Sequence, residues 1–226
     1  MSVKRRLYNV IRPQKKVELI SIHIPKTAGT SLTNILRRQY PDALELLYQH
    51  NNNSEKNKQM WQGEPIVLGH RGIRCIHGHF PAKLSLKQSY PEAKIITWMR
   101  NPVERMISTY NYYKKLPLNH NQIHRRFINE NWDIIDLSYN LVHEVKSYLG
   151  DFRLEDFDFI GFTECQQKSL VSLSNMMNWN MINTDVFENV NSTKTTFDYG
   201  VKDKLKQILK EEVEMYELAQ KLFISA

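Results

Sequence analysis

The stretch from residue 17 to residue 36 constrains the fold of this chain more than any other. Residues 17–24, VELISIHI, carry the apolar and β-branched side chains of a buried strand. Residues 25–31, PKTAGTS, are small or polar, and the apolar residues after them recur at helical spacing. A buried strand that leads through a short loop into a helix is the building unit of α/β proteins with a parallel sheet.

The loop at residues 25–31 has the composition of an anion-binding loop. The first backbone N–H groups of a helix have no partner within the helix, and the helix dipole adds positive potential at that end. Lys26 supplies a full charge, and Thr30 and Ser31 supply hydroxyl donors. These features predict a site for phosphate or a chemically similar oxyanion.

The loop differs from the G-x-x-x-x-G-K-S/T loop of nucleotide-binding proteins. Lys26 precedes Gly29, the only glycine of the loop, and does not follow it. The alternative interpretation is an ordinary connection between strand and helix, in which Pro25 and Gly29 only make the turn.

Length and composition limit the class of protein. The chain has 226 residues, 41% of them hydrophobic, so we expect a single domain over 1–226 with a basic lead-in at 1–16. Its apolar runs are too short for a membrane span or a signal peptide, so we expect no transmembrane segment and a cytoplasmic protein, unless the sequence is a luminal domain. Cys75 and Cys165 have no metal-ligand spacing and are expected to be ordinary thiols.

The net charge limits the partners. A formal charge of +7 favours nucleic acid, an acidic lipid surface, a polyanionic sugar or a multiply charged cofactor. The basic residues are scattered, and no zinc-finger, RNA-recognition or basic-zipper pattern is present, so we expect no nucleic-acid partner.

The rest of the chain alternates strand and helix patterns. Strand-like runs lie at 66–69, 73–76, 94–99 and 157–162, and helical patterns at 102–115, 121–130, 137–149, 164–177 and 205–223. Polar loops are predicted at 49–64, as a mobile segment over a site, at 77–81 and at 189–196. The alternation predicts an α/β fold with a central parallel sheet flanked by helices and ligands at the carboxyl ends of the strands.

A second cationic position follows the strand at 94–99. Arg100 stands at the end of that strand, Asn101 is placed to cap the next helix, and Ser108 lies about two turns into it. A guanidinium can form two hydrogen bonds to a phosphate while a serine hydroxyl adds a third. Taken alone, a surface arginine and a serine inside a helix explain these residues better.

Taken together, the two stretches resemble the paired cofactor signatures of sulfotransferases that use 3′-phosphoadenosine 5′-phosphosulfate (PAPS). They are PKTAGTS at 25–31 and RNPVERMISTY at 100–110, and the resemblance is closest to the carbohydrate branch with the heparan sulfate 2-O-sulfotransferases. It implies a P-loop-like three-layer fold, PAPS as donor without a metal, and an acceptor hydroxyl that we expect on a saccharide. The family often has aspartate where this chain has Asn101.

The resemblance also implies site residues. The 5′-phosphosulfate would contact Lys26, Thr27, Ala28, Gly29, Thr30 and Ser31, and the 3′-phosphate would contact Arg100 and Ser108. Lys194, in the run NSTK, resembles a further 3′-phosphate contact, although a solvated polar loop is the alternative.

His77 and His79, in the run HGHFP, are candidates for a general base. Neutral histidine is suited to removing a hydroxyl proton at neutral pH. The run resembles the His-Gly-His of the 2-O branch, which implies His79 as base and His77 as helper, with Lys26 neutralising the leaving oxygen. A metal-binding pair and two incidental surface histidines are the alternatives, and some branches use glutamate instead.

Two other functions stay open at this point. A nucleoside-triphosphate-dependent kinase would use a similar loop, but the lysine after the last loop glycine is missing. A non-enzymatic module for polyanionic sugars or nucleic acid is favoured only by the basic charge. In-line sulfuryl transfer with a histidine base is the function that we predict.

Overall fold

The computed structural model describes residues 16–48, 54–66, 72–117, 121–180 and 195–224. Within them, five strands form one parallel sheet with the order β2-β3-β1-β4-β5. The strands are β1 (Leu19–Ile22), β2 (Leu44–Leu47), β3 (Cys75–Gly78), β4 (Lys94–Met99) and β5 (Phe159–Phe162). The predicted α/β fold with a central parallel sheet is confirmed.

Helices connect the strands and cover the sheet. They are α1 (Gly29–Gln39), α2 (Ser54–Gln62), α3 (Leu84–Ser89), α4 (Pro102–Tyr113), α5 (Gln122–Asn129), α6 (Ile134–Leu141), α7 (Glu144–Leu149), α8 (Gln166–Met177), α9 (Tyr199–Ile208) and α10 (Lys210–Phe223). Short 3₁₀ turns lie at Leu154–Asp156 and Thr163–Cys165. In the described part of the chain, no helix has the length and apolar character of a bilayer span.

Both faces of the sheet are buried. Successive residues of a strand point to opposite sides, so neighbouring residues belong to different buried clusters. Leu19 and Trp98 belong to a buried cluster with residues of α1 and α8. Ile20 and Ile95 belong to a second cluster with residues of α7 and α10. A helical layer therefore covers each face, which gives the three-layer arrangement.

Some predicted elements are wrong in type or in extent. Residues 54–62 of the predicted polar loop form helix α2, because Asn57 and Met60, about one turn apart, are buried. His77 and Gly78 end strand β3 and are not part of a loop. The pattern at 137–149 divides into α6 and α7, and the final helical stretch divides at Leu209.

Strand β2 was not predicted from the sequence. Its run LELL contains no β-branched residue, and only Leu47 of the four is fully buried, so the strand signal is weak. The predicted strand at 66–69 and the polar loop at 189–196 lie largely outside the described residues.

The order of the strands fixes where the loops meet. Strand β1 has β3 on one side and β4 on the other, and all three run parallel. The loops that follow these strands therefore open at the same edge of the sheet, which is where ligands bind in open α/β sheets.

Candidate active site

The loop between β1 and α1 has an unusual backbone conformation. Lys26 and Ala28 have φ angles of 68° and 65°, in the left-handed region that residues other than glycine rarely adopt. Such residues cost about 1–3 kcal/mol each and persist where their surroundings fix them, often at ligand sites. Left-handed residues in a turn direct successive backbone N–H groups into a concavity that suits an anion.

The hydroxyl groups of this loop lie in different surroundings. Thr27 is buried, and its hydroxyl donates to the carbonyl oxygen of Ile24 across 2.7 Å, so it supports the loop from within. Thr30 is exposed at the start of α1, and Ser31 is buried. The Thr27 hydroxyl is therefore engaged within the loop, whereas Thr30 has an accessible hydroxyl.

Cationic side chains from two elements meet at the loop. The Nη1 atom of Arg100 donates to the backbone carbonyl oxygen of Lys26 across 3.3 Å. The ammonium group of Lys26 lies 4.0 Å from the ring centroid of Tyr112 on α4, a cation–π contact. Burial, and then the charges of Arg100 and Lys115, lower the pKa of Lys26. This local excess of positive charge favours a multiply charged anion.

The turn that carries Arg100 is fixed by Glu164. The backbone N–H of Asn101 donates to Glu164 Oε1 across 2.8 Å, and the Tyr216 hydroxyl donates to Glu164 Oε2 across 2.8 Å. The side-chain oxygen of Asn101 accepts two backbone N–H bonds from the first turn of α4, as predicted for a helix cap. Arg100 thus has a defined place at the end of β4.

Ser108 lies half-buried on α4, two turns beyond Arg100. About one turn further, the Oδ1 atom of Asn111 accepts hydrogen bonds from the hydroxyl of Thr195, at 2.7 Å, and from its backbone N–H, at 3.4 Å. The chain at residue 195 therefore lies against α4. Lys194 lies outside the described residues, so its role as a 3′-phosphate contact stays a prediction.

Arg105, within the second motif, has a structural position. Its side chain is fully buried and forms ion pairs with Glu144 at 2.5 Å and Glu212 at 3.1 Å. These carboxylates belong to α7 and α10, so Arg105 fixes α4 against both helices. Removal of one partner from such a buried pair typically costs about 3–5 kcal/mol.

Three imidazoles meet at the ends of β1 and β3. The Nε2 atom of His79 lies 3.1 Å from the Nδ1 atom of His23, and the His23 ring stacks on His77 with centroids 5.3 Å apart. Sequence reasoning assigned roles to His77 and His79 and missed His23. The strand register is the signal that finds it, because the pairing of Ile22 with Gly78 places the next residues side by side.

His77 is enclosed by polar partners. Its Nδ1 atom lies 2.9 Å from the hydroxyl oxygen of Ser21, and its Nε2 atom lies 2.8 Å from that of Tyr48 and 3.1 Å from that of Thr33. Burial, and then the charge of His79, lower the pKa of His77 to about 3. His77 is therefore neutral at physiological pH, with partners for both nitrogens.

Aromatic side chains surround His79, which is partly exposed. The ring centroids of Tyr48 and Tyr148 lie 4.7 Å and 6.0 Å from the centroid of its imidazole. The indole N–H of Trp61 donates to the backbone carbonyl oxygen of His79 across 2.9 Å, and Trp61 is 36% exposed. Aromatic side chains with a few polar groups among them are common in the lining of ligand sites.

Gly29 joins the histidine cluster to the anion loop. A Cβ atom at this position would lie 1.9 Å from two atoms of the His23 ring. Glycine is required here because the imidazole packs directly against the first turn of α1. The loop and the histidines are therefore parts of one packed site.

Comparison with known proteins adds to this geometry. Residues 70–178 match the family model described as Sulfotransferase domain. This match supports the sulfotransferase family. The matched segment contains His77, His79, Arg100 and Ser108, and it supports sulfate transfer as the general activity. No curated protein matches the chain in sequence.

One solved structure supports this fold. A crystal structure of a sulfotransferase from Alicyclobacillus acidocaldarius aligns with a TM-score of 0.50 and 16% identity, over 94% of this chain and 96% of that one. Mouse sulfotransferase SULT7A1 complexed with PAP aligns with a TM-score of 0.45 and 15% identity, over 88% of this chain and 65% of that one. The first likeness agrees with the predicted P-loop-like, three-layer fold.

Proposed function

We propose that this chain transfers a sulfuryl group from PAPS to a hydroxyl group of an acceptor, with a saccharide as the expected acceptor. One observation carries the proposal. The anion loop after β1, the cationic turn after β4 and the histidine cluster after β3 all lie at the same edge of the sheet. A donor, a leaving-group contact and a base are what such a transfer needs.

The donor would occupy the cationic edge. Residues 25–31 would bind its 5′ side through backbone N–H groups and Lys26. Arg100, Ser108 and Lys194 would bind its 3′-phosphate. The left-handed backbone at Lys26 and the lowered pKa of its ammonium group support an anionic ligand at this position. PAPS supplies the sulfuryl group, and no residue of the chain needs to be modified covalently.

The transfer forms a bond between the acceptor oxygen and sulfur and breaks the bond between sulfur and the phosphate oxygen, which leaves 3′-phosphoadenosine 5′-phosphate (PAP). Charge grows on the departing oxygen, and Lys26 would be the cation that neutralises it. The proton of the acceptor hydroxyl passes to His79. Positioning and charge neutralisation contribute most of the rate in such group transfers.

The assignment of His79 as base, and not His77, follows from burial. His77 is inaccessible, and its lowered pKa makes it a poor proton acceptor. His79 is partly exposed beside the aromatic side chains. His77 would act as helper, because it binds the Tyr48 hydroxyl that in turn lies 3.0 Å from His23 Nδ1.

The surroundings of His79 support a ring-shaped acceptor. Trp61 is partly exposed, and its ring centroid lies 6.0 Å from that of Tyr148 in an edge-to-face arrangement. The apolar face of a sugar ring packs well on an aromatic face, while its hydroxyl groups reach nearby polar groups. An acceptor on Trp61 would have a hydroxyl close to His79.

The direct test measures transfer of labelled sulfate from PAPS to a panel of hydroxyl acceptors, together with calorimetric binding of PAP. We expect His79→Ala to lose about 10²- to 10⁴-fold in transfer while it binds PAP normally. We expect Lys26→Ala to lose both transfer and affinity. Lys94→Ala is the matched control, because Lys94 pairs with Asp158 at the opposite end of β4.

Three outcomes would contradict the proposal. Full activity of His79→Ala would remove that residue as base. ATP hydrolysis that depends on magnesium, without PAP binding, would indicate a kinase. Binding of polyanionic sugars or nucleic acid, without PAP binding, would indicate a non-enzymatic module.

A further inference from the structure

We infer that His23 is a positioning residue, which donates its Nδ1–H to Nε2 of His79 and so keeps that nitrogen free of a proton. Its importance for catalysis rests on the proposed function, in which His79 is the base. The protonation pattern itself depends only on the hydrogen bonds and packing of the cluster.

The first step concerns the other nitrogen of His23. Its Nε2 atom is shielded from solvent and has no hydrogen-bond partner among the described residues. The same atom lies against the start of α1, since a Cβ on Gly29 would be 1.9 Å from it. Helix N-termini carry unpaired N–H groups and positive potential. A lone pair is favoured there and an N–H is disfavoured, so the proton of a neutral His23 lies on Nδ1.

The second step is that His23 is neutral. Burial lowers its pKa well below 6.5, and the charges of His77, His79 and Lys26 lower it further. Among the described residues, these groups and the Tyr48 hydroxyl face the His23 ring from β3, the anion loop and the end of β2. A neutral imidazole has a single N–H, so His23 is a donor at Nδ1 alone.

The third step assigns the hydrogen bonds around Tyr48. Its hydroxyl has one proton, and His77 Nε2, at 2.8 Å, is closer than His23 Nδ1, at 3.0 Å. If Tyr48 donates to His77 Nε2, then His77 donates from Nδ1 to the oxygen of Ser21, 2.9 Å away. Every one of these polar atoms then has a complementary partner. The Tyr48 oxygen is left as an acceptor that faces His23.

The final step concerns His79. The single N–H at His23 Nδ1 lies 3.0 Å from the Tyr48 oxygen and 3.1 Å from Nε2 of His79, so it is shared between these two acceptors. Two N–H groups cannot face each other across 3.1 Å, so Nε2 of His79 carries a lone pair and the proton of His79 lies on Nδ1. This form of His79 has its lone pair at Nε2, where the acceptor hydroxyl must replace the His23 N–H before it can transfer its proton. When Nε2 receives the proton of the acceptor hydroxyl, the His23 N–H retains an acceptor in the Tyr48 oxygen, 3.0 Å away. His23 thus prepares the base without being protonated itself.

The experiment is long-range ¹H–¹⁵N correlation NMR of the full chain with ¹⁵N-labelled histidine, at neutral pH and without ligands. Signals are assigned by the loss of one imidazole in each histidine variant. We expect both His23 and His79 to carry their proton on Nδ1. A proton on Nε2 of either imidazole would overturn the inference. The readout needs no turnover, so a protein without sulfotransferase activity would refute the proposed function and leave this result unaffected.

Two variants of His23 test its effect on the rate of sulfuryl transfer. The side-chain amide of asparagine can place an N–H where His23 Nδ1 lies, so we expect His23→Asn to keep the His79 pattern and most of the transfer rate. His23→Leu removes the donor, and we expect a loss of about 10- to 100-fold in kcat, part of what a general base contributes, with PAP binding unchanged. Equal losses in both variants would show a purely structural role. If His23→Leu does not fold, the wild-type spectrum and His23→Asn still decide the question.

Discussion

Arg100 donates a hydrogen bond from Nη1 to the backbone carbonyl oxygen of Lys26 across 3.3 Å, and so joins the turn after β4 to the loop after β1. Lys26 has a left-handed backbone, and an external bond to its carbonyl helps to fix that conformation. The residue proposed to bind the 3′-phosphate is therefore also part of the support of the loop proposed to bind the 5′ side.

This bond predicts a two-part effect of Arg100→Ala on ligand affinity. With PAP, loss of a hydrogen-bonded charge is expected to cost about 1.5–3 kcal/mol, or about 10- to 150-fold in Kd. With adenosine 5′-monophosphate, which lacks the 3′-phosphate, a smaller loss should persist because the loop is less well fixed. Arg100→Lys keeps the charge but not the forked geometry and should recover only part of the affinity.

Calorimetry with both nucleotides measures this effect. Arg74→Ala is the matched control, since Arg74 pairs with Glu18 at the opposite edge of the sheet, and it should bind both ligands as wild type does. An Arg100→Ala variant with unchanged affinity for adenosine 5′-monophosphate would show that Arg100 does not support the loop. Unchanged affinity for PAP would remove Arg100 from the site.

The contact between Gly29 and His23 predicts that a glycine-to-alanine change at this helical position lowers the stability of the protein. Within a helix this change normally stabilises by about 1 kcal/mol, because alanine has the higher helix propensity. In Gly29→Ala the new methyl would collide with the imidazole, 1.9 Å away, so we expect a destabilisation of about 1–3 kcal/mol. The control is Gly200→Ala in α9, where a Cβ would meet its nearest neighbour, Asp198 Oδ1, at 3.4 Å, and which should be neutral or stabilising.

Urea unfolding of a double variant identifies the cause. When His23→Ala removes the ring, adding Gly29→Ala should no longer destabilise, and the coupling energy between the two changes should be about 1–3 kcal/mol. Additive effects would mean that the cost of Gly29→Ala arises elsewhere, in the backbone of the loop.

The elements that were predicted correctly from the sequence have strong signals in their own residues. Strand β4 and helix α4 were predicted within two residues because β-branched residues precede Arg100, and a cap and a proline follow it. Strand β2 was missed because LELL favours a strand no more than a helix, and only pairing with β3 decides the matter. Long-range pairing of this kind leaves no local signal.

The same limit applies to the site. The charged and hydroxyl residues of the two motifs are recognisable by type and spacing. His23 and Tyr48 are not, because a histidine in an alternating run and a tyrosine after a leucine-rich run both look like core residues. The parallel register of β1, β2 and β3 is what brings them to His79 and His77.

The burial of His77 predicts that the protein becomes less stable as the pH falls. Its pKa is about 3 in the folded protein and about 6.5 in an unfolded chain, so the unfolded state binds more protons between these values. The free energy of unfolding should therefore fall as the pH drops below about 6.5 and continue to fall to about 3. At pH 5 the contribution of His77 is about 2 kcal/mol, and His23 acts in the same direction.

Urea unfolding at pH 7.5 and pH 5 tests this sign. His77→Gln should be less stable than wild type at pH 7.5, because it loses hydrogen bonds, yet its stability should fall by about 2 kcal/mol less between the two values. The exposed His143→Gln is the matched control and should keep the wild-type difference. If His77→Gln loses as much stability between pH 7.5 and pH 5 as the wild type does, then His77 is not the residue that titrates.

Trp61 combines two contacts that substitutions can separate. Its indole N–H donates to the His79 carbonyl oxygen across 2.9 Å, and its ring is 36% exposed beside Tyr148. Trp61→Ala removes both contacts, so we expect a KM for the acceptor that is higher by about 2- to 12-fold, from lost aromatic packing of about 0.5–1.5 kcal/mol, and a lower kcat. Trp61→Phe keeps an aromatic ring, so it should retain most of the acceptor affinity and lose mainly kcat.

Steady-state kinetics at saturating PAPS separate the two effects, with Tyr139→Ala, an exposed aromatic on α6, as the control. An acceptor KM that does not change in Trp61→Ala, for saccharide and phenolic acceptors alike, would mean that the acceptor does not bind on this side of His79.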